Sequence, residues 1–228
     1  MKFAYIPSSI CLEDEIRFGM DNFDFLEITL TENTEKYYRP GDRNIGHLYW
    51  ENTLDDIEIV KKYKRFGCKW ITIHPVYTIS YEENVKRIKN LAESASKFGI
   101  DLYIENLSRS PYNTFEVLNE LFDECGAQGI TMDTGHLKLN INEIEKFLKS
   151  GKVRHVHFHK YKDGIDHLAF GFDEAIALYD IIRKRYDGTI CFEMFYLQGD
   201  NTRKEWAVKN RQEYMLKLKK LLSRRGED

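Results

Sequence analysis

Proline is scarce, with four residues in 228, and no low-complexity stretch interrupts the chain, so nothing marks a linker. Cysteine is equally scarce. Cys11, Cys68, Cys125 and Cys191 stand far apart and form no CxxC pair. They read as reduced, buried thiols rather than as a disulfide frame or a thiolate metal site. No apolar run approaches the roughly 18 residues of a membrane helix. The start, MKFAYIPSSICLEDE, turns acidic at once, unlike a secretory leader. The expectation is a cytoplasmic protein with no membrane partner. An excess of one charge sign is also missing: 34 Lys+Arg against 37 Asp+Glu leave a net charge of −3. That balance gives no support for a general nucleic-acid binder.

What is present suits a globular chain, with 42% hydrophobic and 31% charged residues. The length suits one core, so a single domain over residues 1–228 is expected. Short apolar runs alternate with longer amphipathic stretches from end to end. The strand candidates are Phe3–Ile6, Phe25–Leu30, Ile45–Leu48, Trp70–His74, Leu102–Asn106, Ile130–Asp133, His155–His159 and Ile190–Met194. Helices are expected over Leu54–Phe66 behind Thr53 as N-cap, and from Ser80 to about Phe98. Others open at Asn113 with Glu116 and run over Phe172–Arg185 and Thr202–Ser223. Regular βα alternation argues for a parallel sheet covered by helices. Eight units in this length match the roughly 200 to 250 residues of a closed (β/α)8 TIM barrel. An open doubly wound sheet is the alternative. The polar stretch Thr31–Asn44 breaks the pattern where a second helix should be; it reads as a short helix plus loop, or as a plain connection.

Alternate residues of a barrel strand face the interior and the outer helices. In LEITL that sends Leu26 and Ile28 outward and Glu27 inward; in LYIEN, Glu105 inward; in ITMD, Asp133; in ICFEM, Glu193. His74 faces in, as do His155, His157 and His159, and the third strand fits if Ile45 and His47 do. Ionisable residues therefore collect at the C-terminal strand ends, where barrel enzymes keep their active sites. Packed carboxylates repel unless a cation or shared protons compensate. A divalent metal is the simplest compensation, and an oxygen and nitrogen donor set without sulfur indicates Mn, Zn, Co or Mg.

The series His47, His74–Pro75, IEN at Glu105, MDTGH at Asp133–His136, HVHFH, DHLAFG at His167 and FEM at Glu193 resembles the xylose isomerase-like barrel superfamily. That superfamily spans sugar isomerases and epimerases and the endonuclease IV apurinic-site nucleases. The resemblance implies that Glu105, Asp133, His157 and Glu193 hold a metal, with His159 an open alternative to His157 because Lys160 replaces the usual Asp of the H-x-x-D pattern. It implies that Glu105 and Glu193 act as an acid–base pair and that His136 approaches metal or substrate. His47, His74 and His167 match further zinc ligands of the nuclease branch, with His136 and His159 as added candidates. The aspartate expected two residues before His167 is Ile165, with Asp163 and Asp166 nearby. Glu27, Trp50 and Lys160 are candidates for substrate contact.

The leading expectation is a metal-dependent isomerase or epimerase of a small sugar or sugar phosphate, working through an enediolate-like intermediate. The alternatives are an endonuclease IV-type phosphodiesterase, the one reading that brings in nucleic acid, and a barrel that binds metal or ligand without catalysis. Arg109, Lys138, Lys160 and Lys162 lie just beyond strand ends and read either as anion contacts or as solvated loop charge. Such barrels often pair, so a homodimer is an open expectation.

Overall fold

A computed structural model of the chain describes residues 1–8, 11–48, 56–197 and 205–226. In chain order the strands are β1 (Lys2–Tyr5), β2 (Phe25–Ile28), β3 (Asn44–Leu48), β4 (Trp70–Ile73), β5 (Asp101–Glu105), β6 (Gly129–Asp133), β7 (Val153–Phe158), β8 (Lys160–Lys162), β9 (Ile165–Leu168) and β10 (Thr189–Phe192). Eight of them close into a barrel in the order β1-β10-β7-β6-β5-β4-β3-β2, all parallel. These eight are the strands read from the sequence. β8 and β9 were not expected; they form an antiparallel hairpin outside the barrel, inserted after β7.

The helices are α1 (Leu12–Asn22), α2 (Asp56–Arg65), α3 (Tyr81–Lys97), α4 (Phe115–Cys125), α5 (Ile141–Lys149), α6 (Phe172–Ile182) and α7 (Glu205–Arg225). Ser80 caps α3, its side chain accepting from Glu83 N at 3.1 Å, and Gly99 at φ 65° turns the chain out of it. The residues expected to start α2, Thr53 and Leu54, lie outside the described set. α4 begins one residue later than expected, because Asn113 belongs to a 3-10 turn and Thr114 is the N-cap. α6 ends at Ile182, so Arg183–Arg185 follow it rather than close it. Between β2 and β3 only a 3-10 turn, Glu35–Tyr37, stands where a helix is usual.

Strand alternation divides the core. Leu26, Ile28, Ile71, Ile73, Leu102, Ile104, Val156, Phe158, Ile190 and Phe192 join the main cluster between strands and helices. Each such fully buried side chain contributes about 1.5–3 kcal/mol. Ala4, Phe25, Ile45 and Cys191, in the opposite register, form a separate small cluster inside the barrel. The inward positions nearer the C-terminal ends carry polar groups instead. Across the outside, α1 and α7 are joined by a buried ion pair, Arg211 Nη2 to Glu15 Oε1 at 2.5 Å. Arg211 also donates to Phe195 O at 3.1 Å, fastening the segment that follows Glu193.

Candidate functional site

All seven histidines of the chain stand in one connected group with acidic residues at the C-terminal end of the barrel. The deepest member is Glu27 on β2, which has no exposed surface. It accepts from His155 Nε2 at 2.9 Å and His157 Nε2 at 3.0 Å, and meets His47 Nδ1 at 3.1 Å. Burial alone would raise its pKa, but His157 and His155 overcome that and hold the carboxyl well below its usual range. An ionised Glu27 only accepts, so it holds a proton of His157 on Nε2 and turns Nδ1 to the acids as the nitrogen a metal would take.

That Nδ1 points at three acids. It lies 3.2 Å from Glu105 Oε1, 3.0 Å from Glu193 Oε2 and 3.8 Å from Asp133 Oδ2. One ligand atom from each of Glu105, Asp133, His157 and Glu193 lies within 4.8 Å of every other, and all four residues are buried. The structure therefore brings the expected quartet together and places His157, not His159, in it. Asn106 braces the quartet from β5: its side chain accepts from Asp133 N at 2.7 Å and donates to Asp133 O at 3.1 Å.

The remaining histidines ring this centre. His74 Nε2 is 3.2 Å from Glu105 Oε2. His136 Nδ1 meets Asn106 O at 2.7 Å and lies 3.6 Å from Glu105. His159 Nε2 meets Asp133 Oδ2 at 2.8 Å, and His167 Nε2 lies 3.4 Å from Glu193 Oε1. His136, His159 and His167 gather with Asp166 into a second group of ligand distance. The aspartate expected at position 165 has its counterpart in Asp166, one of the two acids noted nearby. Gly135 lets the groups approach: a Cβ there would sit 2.1 Å from His159 ring atoms.

Against the opposing effect of burial, His47, His136, His157 and His167 are drawn upward in pKa by the acids around them. Burial opposes the charge of His157, yet Glu105, Glu27 and Glu193 hold its pKa well above the usual value. For His167 burial is outweighed by Glu193 and Asp166, and the pKa reaches about 9. For Glu105 burial is outweighed by His157 and His74, and for Glu193 by His157 and His167; both carboxyls are held well below their usual range. The site as a whole calls for positive charge. Glu105 Oε2 and Glu193 Oε2 are buried and accept no well-formed hydrogen bond, although His74 Nε2 and His157 Nδ1 lie 3.2 and 3.0 Å from them. A three-carboxylate, one-imidazole set with two such oxygens fits a hard or borderline divalent cation.

Two expected contacts come out differently. Lys160 gives its ammonium to Glu174 of α6, at 2.6 and 2.8 Å, so it does not reach into the site. Glu27 lies beneath the site, with its oxygens committed to imidazoles, rather than at a substrate position. Trp50 lies outside the described residues.

The family model described as xylose isomerase-like TIM barrel matches residues 23–218. The chain belongs to the xylose isomerase-like TIM barrel family. Solved structures share the fold along nearly the whole length. A D-tagatose 3-epimerase-like protein aligns with TM-score 0.69 and 20% identity, covering 99% of each chain. A xylose isomerase-like TIM barrel protein of Mycobacterium smegmatis, in complex with magnesium, aligns with TM-score 0.61 and 12% identity, over 95% of this chain and 96% of that one. An uncharacterised protein of Methanocaldococcus jannaschii is 36% identical over 119 residues, which is 47% of this chain. The match spans about half of that relative, 46% of its length. Among the described residues no helix is long and apolar enough to cross a membrane.

Proposed function

We propose that the chain is a divalent-metal-dependent isomerase or epimerase of a small sugar. The observation that carries the reading is the convergence of Glu105, Asp133 and Glu193 on Nδ1 of His157, whose other nitrogen is bound by Glu27. A carboxylate–histidine–metal arrangement has this form. Membership of the family and the likeness to a D-tagatose 3-epimerase-like protein support it. So does the magnesium of the mycobacterial neighbour.

Glu105, Asp133, His157 and Glu193 would hold the metal. When bound, a divalent cation supplies Lewis-acid polarisation of a substrate carbonyl and its neighbouring hydroxyl. The chain's own residues do the proton transfer. Glu105 on β5 and Glu193 beyond β10 stand on separate strands and each keeps a buried oxygen without a hydrogen bond. One takes the proton from the substrate carbon, and the other passes back a proton drawn from its neighbouring imidazole, His74 beside Glu105 or His167 beside Glu193, through an enediolate-like intermediate; general acid–base work of this kind contributes about two to four powers of ten in rate. His136, its Nδ1 anchored on Asn106 O, would steady a substrate oxygen.

A second reading, a phosphodiesterase using more than one metal, is favoured by one observation: Asp166 joins His136, His159 and His167 at ligand distance. Metal analysis and a substrate panel separate the two. We expect near one bound Mn equivalent and turnover of a free or phosphorylated ketose. We expect Glu105→Gln and Glu193→Gln to lose turnover and weaken Mn binding. Nicking of an abasic duplex, with three bound zinc ions, would replace the first reading by the second.

A further inference from the structure

The loops after β5, β6 and β7 carry basic side chains that the structure sorts into different kinds. Lys160 is neutralised by Glu174, and Lys162 is exposed on the hairpin. Arg109 and Lys138 instead converge on Tyr161. Arg109 Nη2 donates to the Tyr161 hydroxyl at 2.9 Å and its guanidinium lies 5.9 Å from the ring centroid. Lys138 Nζ lies 5.5 Å from the same centroid. Neither cation forms an ion pair among the described residues. Asp166 is within Coulombic reach of Arg109, but its carboxylate faces His136 Nε2 at 3.7 Å and His159 Nδ1 at 3.5 Å.

The placement is tied to the site. Arg109 follows Glu105 by four residues, Lys138 follows His136 by two, and Tyr161 follows His159 by two. Their strands are neighbours in the barrel. Arg109 and Lys138 hold left-handed backbone conformations, φ 57° and 51°, which non-glycine residues seldom adopt. Lys138 is pinned there by its N–H to Gly135 O at 2.8 Å. Two exposed cations thus stand at the rim of a candidate sugar site without an ion-pair partner among the described residues.

We propose that Arg109, Lys138 and Tyr161 bind a phosphate monoester carried by the sugar substrate. The proposal rests on the isomerase reading and narrows its substrate class. A monoester carries a charge of about −1.5 to −2 at neutral pH, which two cations match and one does not. Arg109 spends one N–H on Tyr161 and keeps the rest of its fork for phosphate oxygens; Lys138 adds a point charge and Tyr161 an O–H. A neutral ketose leaves both charges unanswered. A duplex binder neutralises about 6–10 phosphates along a face, more than this pair offers.

The test uses metal-free protein, so that phosphate cannot coordinate the metal. Calorimetric titration with D-ribulose 5-phosphate, D-ribulose, D-gluconate and an abasic duplex reads the ligand class. We expect the phosphate ester to bind at least tenfold tighter than ribulose or gluconate. The Arg109→Gln/Lys138→Gln double variant should lose that tenfold preference with an unchanged circular dichroism spectrum, and Lys162→Gln should keep it. Equal affinity for ribulose and its phosphate, an unchanged double variant, gluconate binding as well as the ester, or displacement of the ester by the duplex would each overturn the proposal. Failure of the isomerase reading shows separately, as the absence of sugar turnover by Mn-loaded wild-type protein.

Discussion

Nε2 of His157 lies 3.0 Å from Oε1 of Glu27, at the end of the imidazole opposite the three acids. Glu27→Gln keeps the volume but replaces a pure acceptor by an amide that can present either face. Proton placement on His157 is then no longer enforced. Losses of partners behind a metal ligand commonly cost 10–100-fold in affinity, and Mn affinity measured by calorimetry should fall by about that factor. An unchanged Mn affinity would remove Glu27 from the account of the site.

Stability without metal should be lost at alkaline pH. His157 and His167 have raised folded-state pKa values, His167 reaching about 9. Their contribution is complete below the unfolded value near 6.5 and disappears as pH climbs through the raised folded-state values, about 9 for His167. Glu27, Glu105 and Glu193 have depressed values, so their contribution is present above about pH 4.3 and disappears as pH falls. Urea unfolding in chelator should therefore peak between about pH 5 and 7 and decline toward pH 10. Added Mn should flatten the alkaline limb, since the cation takes over the role of the protons. A flat profile in chelator would contradict the linkage.

Gly135→Ala should act on the site from one residue away. The added methyl meets the His159 ring, which must move off its 2.8 Å contact with Asp133. Forced overpacking costs about 1–3 kcal/mol. The variant should be less stable by that amount and show altered histidine chemical shifts on metal titration.

Arg211→Met breaks the buried pair with Glu15, whose residues are 3% and 0% exposed. Removing one partner leaves the other charge uncompensated, at a cost of about 3–5 kcal/mol. Denaturant unfolding should show the loss. Arg211→Met with Glu15→Gln should recover part of it, because the stranded carboxylate is gone.

The barrel was legible because its strands repeat one rule: apolar residues at one parity and an acid or imidazole at the other, as in Leu26, Glu27 and Ile28. α1 was not read because Glu15 and Gly19 occupy its buried positions and break the apolar stripe. α5 is short and starts close behind the MDTGH segment, although Asn140 caps it with a contact of 3.4 Å to Glu143 N. The hairpin strands are too short and polar for alternation to show. Their turn residues, Asp163 and Gly164, both have positive φ and are the one signal the sequence carries. Strand parity could not separate His157 from His159, since both point inward; depth separates them. His157 sits within β7, paired in register with Asp133 and Cys191, while His159 lies past the end of the strand. Asp163 and Asp166 could not be told apart in sequence because a hairpin, not a sequence offset, brings Asp166 to the histidines.

The β8–β9 hairpin borrows nothing from the barrel ladder: its strands pair with each other, and its outer edge touches the segment after β10 through a bridge between Leu168 and Tyr196. It nevertheless delivers Tyr161, Asp166 and His167 to the mouth. Insertions or exchanges in this one excursion can change what the cavity accepts while the quartet on the staves stays fixed. Divergence among relatives should therefore concentrate here, and transplanting the excursion between two of them is the shortest route to a barrel with swapped selectivity.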